Sequence, residues 1–190
     1  SWRLGYDLVC LNGPRDQDAL QQMLDGSPFA NQPTVLTGLQ RNGEATTSAI
    51  SSEERHRQMV FAEQVVMPRN QRGREKMVRI LADLARRSPD WEVLIKPRVA
   101  PDESTFHQSE RHISQTLIKT LGQPPPNLKL DYRPLPELLS QSRLMATVSS
   151  TAFFDALDFG CRPVAMADFG LNPSNGGHIF AGSGVWRTLE

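Results

Sequence analysis

Short apolar runs alternate with stretches of helical periodicity along most of this chain. Residues 59–66 are apolar except for Glu63 and Gln64 near the carboxyl end, a pattern that predicts a buried strand. A helix follows from about Arg74 to Arg87, with Met77, Leu81 and Leu84 on one face. Trp91 to Ile95 is a second strand, stopped by Lys96-Pro97-Arg98. Ile113, Leu117 and Leu121 mark another helix, ended by Gly122 and the prolines at 124–126. Leu128 to Tyr132 is a strand, and Pro134 opens a short helix with Leu135, Leu138 and Leu139 as its buried stripe. Leu144 to Val148 is a further strand, with Ser149-Ser150-Thr151 directly after it. The helix from Ala152 is expected to bury Phe153, Ala156 and Leu157 and to stop at Gly160. Pro163 to Ala167 is the final strand, and the remainder is rich in glycine and asparagine.

The amino-terminal part is different. Tyr6 to Cys10 reads as a strand, Asp16 as the cap of a helix through Leu20, Met23 and Leu24, and Thr34 to Leu36 as a second strand. This strand–helix–strand piece is too small to fold alone. Residues 40–58 are polar and aperiodic. The expected division is residues 1–45 as the end of an upstream domain, 46–58 as a linker and 59–190 as one domain. The chain reads as part of a longer protein.

Strands alternating with helices at this spacing predict an α/β fold, a parallel sheet with helices on both faces. In such sheets ligands bind beyond the carboxyl ends of the strands. Those ends carry Glu63-Gln64, Lys96-Pro97-Arg98, Asp131-Tyr132-Arg133, Ser149-Ser150-Thr151 and Asp168. Three hydroxyls at the start of a helix suit a phosphate ester, since free N–H groups gather there. A plain helix cap is the competing reading. Lys96 and Arg98 can neutralise an anion at the same sheet edge, or form a solvated basic loop. Glu63 is a candidate catalytic base, a sugar-hydroxyl acceptor, or a structural partner of Arg69 or Arg98, because a buried carboxylate needs a partner. The turn from Asp131 to Pro134 can read a nucleobase edge, with Leu135 packing on the base. His107 in its polar loop is a weaker candidate, and His56, His112 and His178 are weaker still.

Composition narrows the choice. The 190 residues are 38% hydrophobic and 22% charged, which suits a globular domain. A formal net charge of +0 argues against a nucleic-acid partner that neutralises many phosphates. Cys10 and Cys161, the two cysteines, show no paired spacing, so neither a disulfide framework nor a zinc site is expected, and a reducing cytoplasm is the simplest location. No apolar run is long enough to span a membrane. The Asp168-Phe169-Gly170 triplet lacks the other kinase signatures. Gly176-Gly177 and Gly182-Ser183-Gly184 do not follow a strand and open a helix, so the dinucleotide fingerprint fails. No Walker-type run is present, no Asp-x-Asp pair suggests a divalent metal on a sugar diphosphate, and no metal is expected.

These strand ends also carry a resemblance. The segment from Phe61 to Gly170 resembles the carboxyl-terminal domain of GT-B glycosyltransferases. It is most like an uncharacterised bacterial family of them and more distantly similar to capsule-type sialyl-, Kdo- and glycerophosphate-transferases. The matching pieces are Phe61-Ala62-Glu63-Gln64, Ile95-Lys96-Pro97-Arg98, Asp131-Tyr132-Arg133-Pro134-Leu135, and Val148-Ser149-Ser150-Thr151-Ala152 through Asp155-Ala156-Leu157 and Gly160. The resemblance implies a Rossmann-like fold and transfer of a sugar from a nucleotide-sugar donor to a saccharide or lipid-linked acceptor, in bacterial surface polysaccharide synthesis. It implies that Lys96, Arg98, Ser149, Ser150 and Thr151 hold the donor phosphate, with Gln64, Pro134 and Leu135 completing the donor site. Arg98 departs from the pattern, standing where relatives often have histidine followed by proline. Residues 1–45 would close an amino-terminal acceptor-binding domain. That domain could also supply the catalytic base and a peripheral contact with a membrane. A nucleotide-sugar epimerase of the same architecture and a non-catalytic nucleotide-binding module are the alternatives.

Overall fold

A computed structural model describes residues 5–39, 53–65, 67–103 and 111–190. His107, Val66 and most of the expected linker lie outside the described residues. The chain divides into two units, Ser1–Asn42 and Gly43–Glu190.

In the first unit, strand β1 (Val9–Leu11) pairs in parallel with β2 (Thr34–Leu36), and helix α1 (Pro14–Leu24) connects them. Gly13, not Asp16, is the helix cap. Pro14 holds the first helical position, where its missing N–H costs nothing, and this moves the start two residues ahead of the acidic residue. Among the described residues of this unit only Leu24 is a buried hydrophobic, while Met23 is 76% exposed.

The second unit is built on a six-stranded sheet, all parallel. Its elements in chain order are β3 (His56–Ala62), α2 (Gln71–Arg87), β4 (Glu92–Lys96), α3 (Ile113–Leu121), β5 (Leu128–Leu130), α4 (Leu135–Gln141), β6 (Ser142–Thr147), α5 (Ala152–Asp158), β7 (Arg162–Met166) and β8 (Trp186–Arg187). The spatial order is β5-β4-β3-β6-β7-β8. The chain therefore winds outward from β3 through β4 to β5, crosses back to the other side of β3, and continues through β6 to β8.

Strand alternation assigns the faces. Met59, Phe61, Val93 and Ile95 pack with Met77, Leu81 and Ala85 of α2 and with Ile113 and Leu117 of α3. The intervening Val60 and Leu94 pack on Leu138 of α4. Ala62 and Met145 pack with Leu139, Ala152 and Ala156. Helices thus cover both faces, α2 and α3 on one and α4 and α5 on the other. The helices change sides where the winding reverses, so β3 and β6 flank a topological switch point.

Several boundaries differ from the sequence expectation. The central strand starts at His56, inside the stretch read as linker, because its polar residues have partners. Gln58 is buried, donating to Glu92 at 2.6 Å and accepting from Ser142 at 2.7 Å. Arg55, just before it, is 4% exposed and donates to the carbonyls of Leu139, Ser142 and Phe159 at 2.8, 3.2 and 2.6 Å. A cation there suits the carboxyl ends of α4 and α5. The same strand ends at Ala62, so Glu63 and Gln64 lie beyond it. Helix α2 begins at Gln71, three residues early, because the Asn70 side chain accepts from the Gly73 N–H at 2.8 Å. Leu157 is 54% exposed rather than buried, since α5 lasts only seven residues and turns Phe153 and Ala156 inward. Strand β8 has no counterpart in the expectation. Its two residues, Trp186 and Arg187, are exposed and show no alternation to read.

Candidate functional site

A cleft of about 390 Å³ opens at the switch point. It is lined by Ala62, Glu63, Gln64 and Val65 after β3, by Lys96, Pro97 and Arg98 at the end of β4, by Leu135 at the start of α4, and by Ser149, Ser150, Thr151 and Ala152 after β6. Eight of the nine expected site residues are thus brought to one place. Pro134 does not line the cleft. It is exposed at the amino-terminal cap of α4, and Leu135 is the residue that turns toward the opening.

Glu63 does not stand ready as a base. Its carboxylate is buried and paired with the Arg74 guanidinium through Oε1, and its Oε2 accepts from the backbone N–H of Arg98 at 3.0 Å. The partner is therefore Arg74 of α2, and Arg98 contributes its backbone instead of its guanidinium. Arg74 also donates to the carbonyls of Gln64 and Val65 at 3.3 and 3.1 Å. One ion pair so fixes the turn after β3 and, through Arg98, the turn after β4. His112 braces that second turn from the other side. Its Nδ1 accepts from the Ser114 N–H at 3.1 Å, so Nε2 carries the proton and donates to the Val99 carbonyl at 3.0 Å. Its ring stacks on Tyr132 with centroids 6.3 Å apart.

The turn after β6 is held by Gln64 and Thr147. Gln64 Oε1 accepts from the Ser149 N–H at 2.9 Å, and its Nε2 lies 3.4 Å from Ser149 Oγ. Thr147 Oγ1 accepts from the Ser150 N–H at 3.3 Å and donates to the Ala62 carbonyl at 3.2 Å. The capping role falls to one hydroxyl, that of Ser150, which accepts from the Ala152 N–H at 3.2 Å. Thr151 makes no side-chain cap and is exposed. The cap and the site readings of the three hydroxyls are therefore compatible, since a single oxygen serves the cap.

The cations complete the site. Among the described residues neither Lys96 nor Arg98 is in a salt bridge. Lys96 is half-buried, and its ammonium donates to the Pro97 carbonyl at 2.8 Å. Burial, and next the neighbouring Arg98 charge, hold its pKa below the ordinary lysine value. The negative charge of an anion bound beside the two would offset both effects. Beyond β5, Asp131 is paired with Arg133 at 2.7 Å, and Arg133 reaches Glu137 at 3.1 Å. Hydrogen bonding from Arg133 holds the Asp131 carboxyl below its usual range. No cluster of three or more His, Cys, Asp or Glu residues suited to a metal occurs among the described residues. No helix among them is long and apolar enough to cross a membrane.

Sequence reasoning missed Arg74. The signal was present: Arg74 lies three and seven residues before Met77 and Leu81, on the stripe that faces the sheet, and a charge there requires a buried partner. It also missed Asn175, a buried asparagine next to the Gly176 that lies against Ser149, with no strand or helix pattern around it.

Known structures share this architecture. The α,α-trehalose-phosphate synthase (UDP-forming) from Burkholderia vietnamiensis is 10% identical with a TM-score of 0.54, over 97% of this chain and 48% of that one. The calicheamicin glycosyltransferase CalG4 is 14% identical with a TM-score of 0.50, over 98% of this chain and 41% of that one. The UDP-GlcNAc 2-epimerase from Neisseria meningitidis is 13% identical with a TM-score of 0.43, over 64% of this chain and 30% of that one. The chain spans less than half the length of each. No curated protein matches it. The likeness to the first two concerns the fold, which is the Rossmann-like α/β arrangement of GT-B proteins. Residues 1–190 match one family model, and the chain belongs to the family described as "Putative glycosyltransferase (DUF6716)".

Proposed function

We propose that the switch-point cleft binds the phosphates of a nucleotide-sugar donor, and that the intact protein transfers the sugar to a hydroxyl of a saccharide or lipid-linked acceptor. The observation that carries this reading is the convergence of two cations, Lys96 and Arg98, that form no salt bridge among the described residues, with the hydroxyls of Ser149, Ser150 and Thr151 in one cleft. In the transfer, the bond between the sugar's anomeric carbon and the phosphate oxygen breaks while the acceptor oxygen bonds to that carbon. Negative charge grows on the departing phosphate. Cations and hydroxyl donors already in place stabilise that charge without reorganising. The acceptor's proton goes to a base, and Glu63 is a poor candidate because both its oxygens are occupied. We assign Glu63 to positioning and expect the base from outside this chain's cleft. Gln64 acts through Ser149, and Leu135 supplies an apolar edge for the nucleoside.

A thermal-shift panel of UDP, GDP, CMP and their sugars on the intact protein tests the reading. One nucleotide should raise the melting temperature, and Ser150→Ala should reduce that shift. A panel in which no nucleotide stabilises the folded protein would remove the donor-site reading. Release of free nucleotide from the best donor only when an acceptor is present would support transfer.

A further inference from the structure

Ser149 is backed by a segment rich in glycine and asparagine. After β7 the chain makes three short 3-10 turns, Ala167–Phe169, Pro173–Asn175 and Gly177–Phe180. Asn175, 7% exposed, uses both ends of its amide. Nδ2 donates to the carbonyls of Phe169 and Gly170 at 2.8 and 2.6 Å. Oδ1 accepts from the N–H groups of Asn172 and Gly177 at 3.3 and 2.9 Å. A buried amide with four hydrogen bonds gives the loop one path.

That path carries Gly176 against Ser149. A Cβ at position 176 would lie 3.1 Å from Ser149 Oγ and 3.2 Å from Ser149 Cβ. The backbone there is left-handed, with φ of +75°. On its other side Ser149 is bonded by Gln64 through its N–H at 2.9 Å. Ser149 is thus held by a glutamine amide through its backbone and lies against a bare stretch of backbone, so a side chain at 176 requires Ser149 to give by a few tenths of an ångström.

We propose that Gly176 is a positioning residue for Ser149. The side-chain-free backbone of the Asn175-braced loop sets the Ser149 hydroxyl at the edge of the cleft. A side chain at 176 then weakens phosphate binding without touching the phosphate. This inference rests on the reading of the cleft as a phosphate site.

Gly182 provides the control. It has the same φ of +75°, yet a Cβ there meets nothing within 4 Å. Gly176→Ala and Gly182→Ala therefore share the cost of a left-handed alanine and differ in the contact with Ser149. The probe is inorganic pyrophosphate, which presents a diphosphate without a base, titrated calorimetrically into the intact protein. Ser149→Ala and Gly176→Ala should each bind about tenfold more weakly, and Gly182→Ala should bind as the unsubstituted protein does. Wild-type binding by Ser149→Ala, or no binding by the unsubstituted protein, sinks the cleft reading and this inference with it. Weak binding by Ser149→Ala together with wild-type binding by Gly176→Ala sinks this inference alone, as does equal weakening by Gly182→Ala. A double-mutant cycle adds a stability readout should Gly176→Ala fold poorly. The stability lost in the Ser149→Gly/Gly176→Ala double variant should be smaller than the sum of the two single losses. Losses that simply add contradict the contact.

Discussion

Glu63 and Arg74 form an ion pair whose side chains are only 2% and 3% exposed, and its two members join α2 to the turns after β3 and β4. Removing one member leaves the other charged and buried. Glu63→Ala is therefore expected to destabilise the protein by about 3–5 kcal/mol. The double variant Glu63→Leu/Arg74→Met should cost less than either single loss, since no charge is stranded. Urea unfolding of Glu63→Ala, Arg74→Met and the double variant checks the order. A Glu63→Ala variant of native stability would mean that the pair is open to water.

Lys96 gives the site a pH signature. Its folded-state pKa is depressed, by burial first and by Arg98 next. Between that pKa and the ordinary lysine value the unfolded chain binds more protons than the folded one, so stability rises with pH across this window. The contribution is fully present above the ordinary lysine value and is lost as pH falls through the folded pKa. Anion binding has the opposite sign: it needs the ammonium and weakens as pH climbs through the folded pKa. Lys96→Met should bind nucleotide about tenfold more weakly and lose this alkaline fall-off. Calorimetry across the alkaline range compares the two proteins. Parallel pH profiles would remove Lys96 from the site.

Burial pushes the Cys161 thiol up to about 12, against the opposing pull of Arg55, while Cys10 is exposed. A thiolate-selective reagent at about pH 8 should therefore modify one cysteine in the native protein and both in denaturant. Rapid modification of Cys161 in native protein would show that the segment entering β7 opens readily.

Arg55 binds carbonyls at the ends of two helices. Arg55→Met leaves those carbonyls buried without a donor and should cost about 3 kcal/mol. Thermal unfolding measures it. An unchanged melting temperature would place Arg55 in solvent and return residues 53–58 to a linker.

The architecture was legible where burial on two faces writes continuous apolar runs, as in Val93-Leu94-Ile95, and where periodicity marks α2 and α3. The cleft was legible for a related reason. Polar residues directly after buried strands stand out against the apolar runs, and a doubly wound sheet gathers strand ends at its switch point. What stayed hidden depends on pairing across the sequence. Glu63 stayed open among a base, a sugar-hydroxyl acceptor and a structural partner because Arg74 lies 11 residues away on a helix. Gln58 read as linker because its polarity is satisfied by residues of neighbouring strands. Asn175 and Gly176 had no periodicity at all, and their contacts with the loop and with Ser149 exist only in the folded chain.

The central claim is that the switch-point cleft holds donor phosphate. A crystal structure of the intact protein with whichever of UDP, GDP or CMP stabilises it most tests that claim directly. Phosphate oxygens are expected within hydrogen-bonding distance of the Ser149–Thr151 turn, with Lys96 or Arg98 on the opposite side. Phosphate bound elsewhere, with this cleft filled only by water at saturating nucleotide, would contradict it.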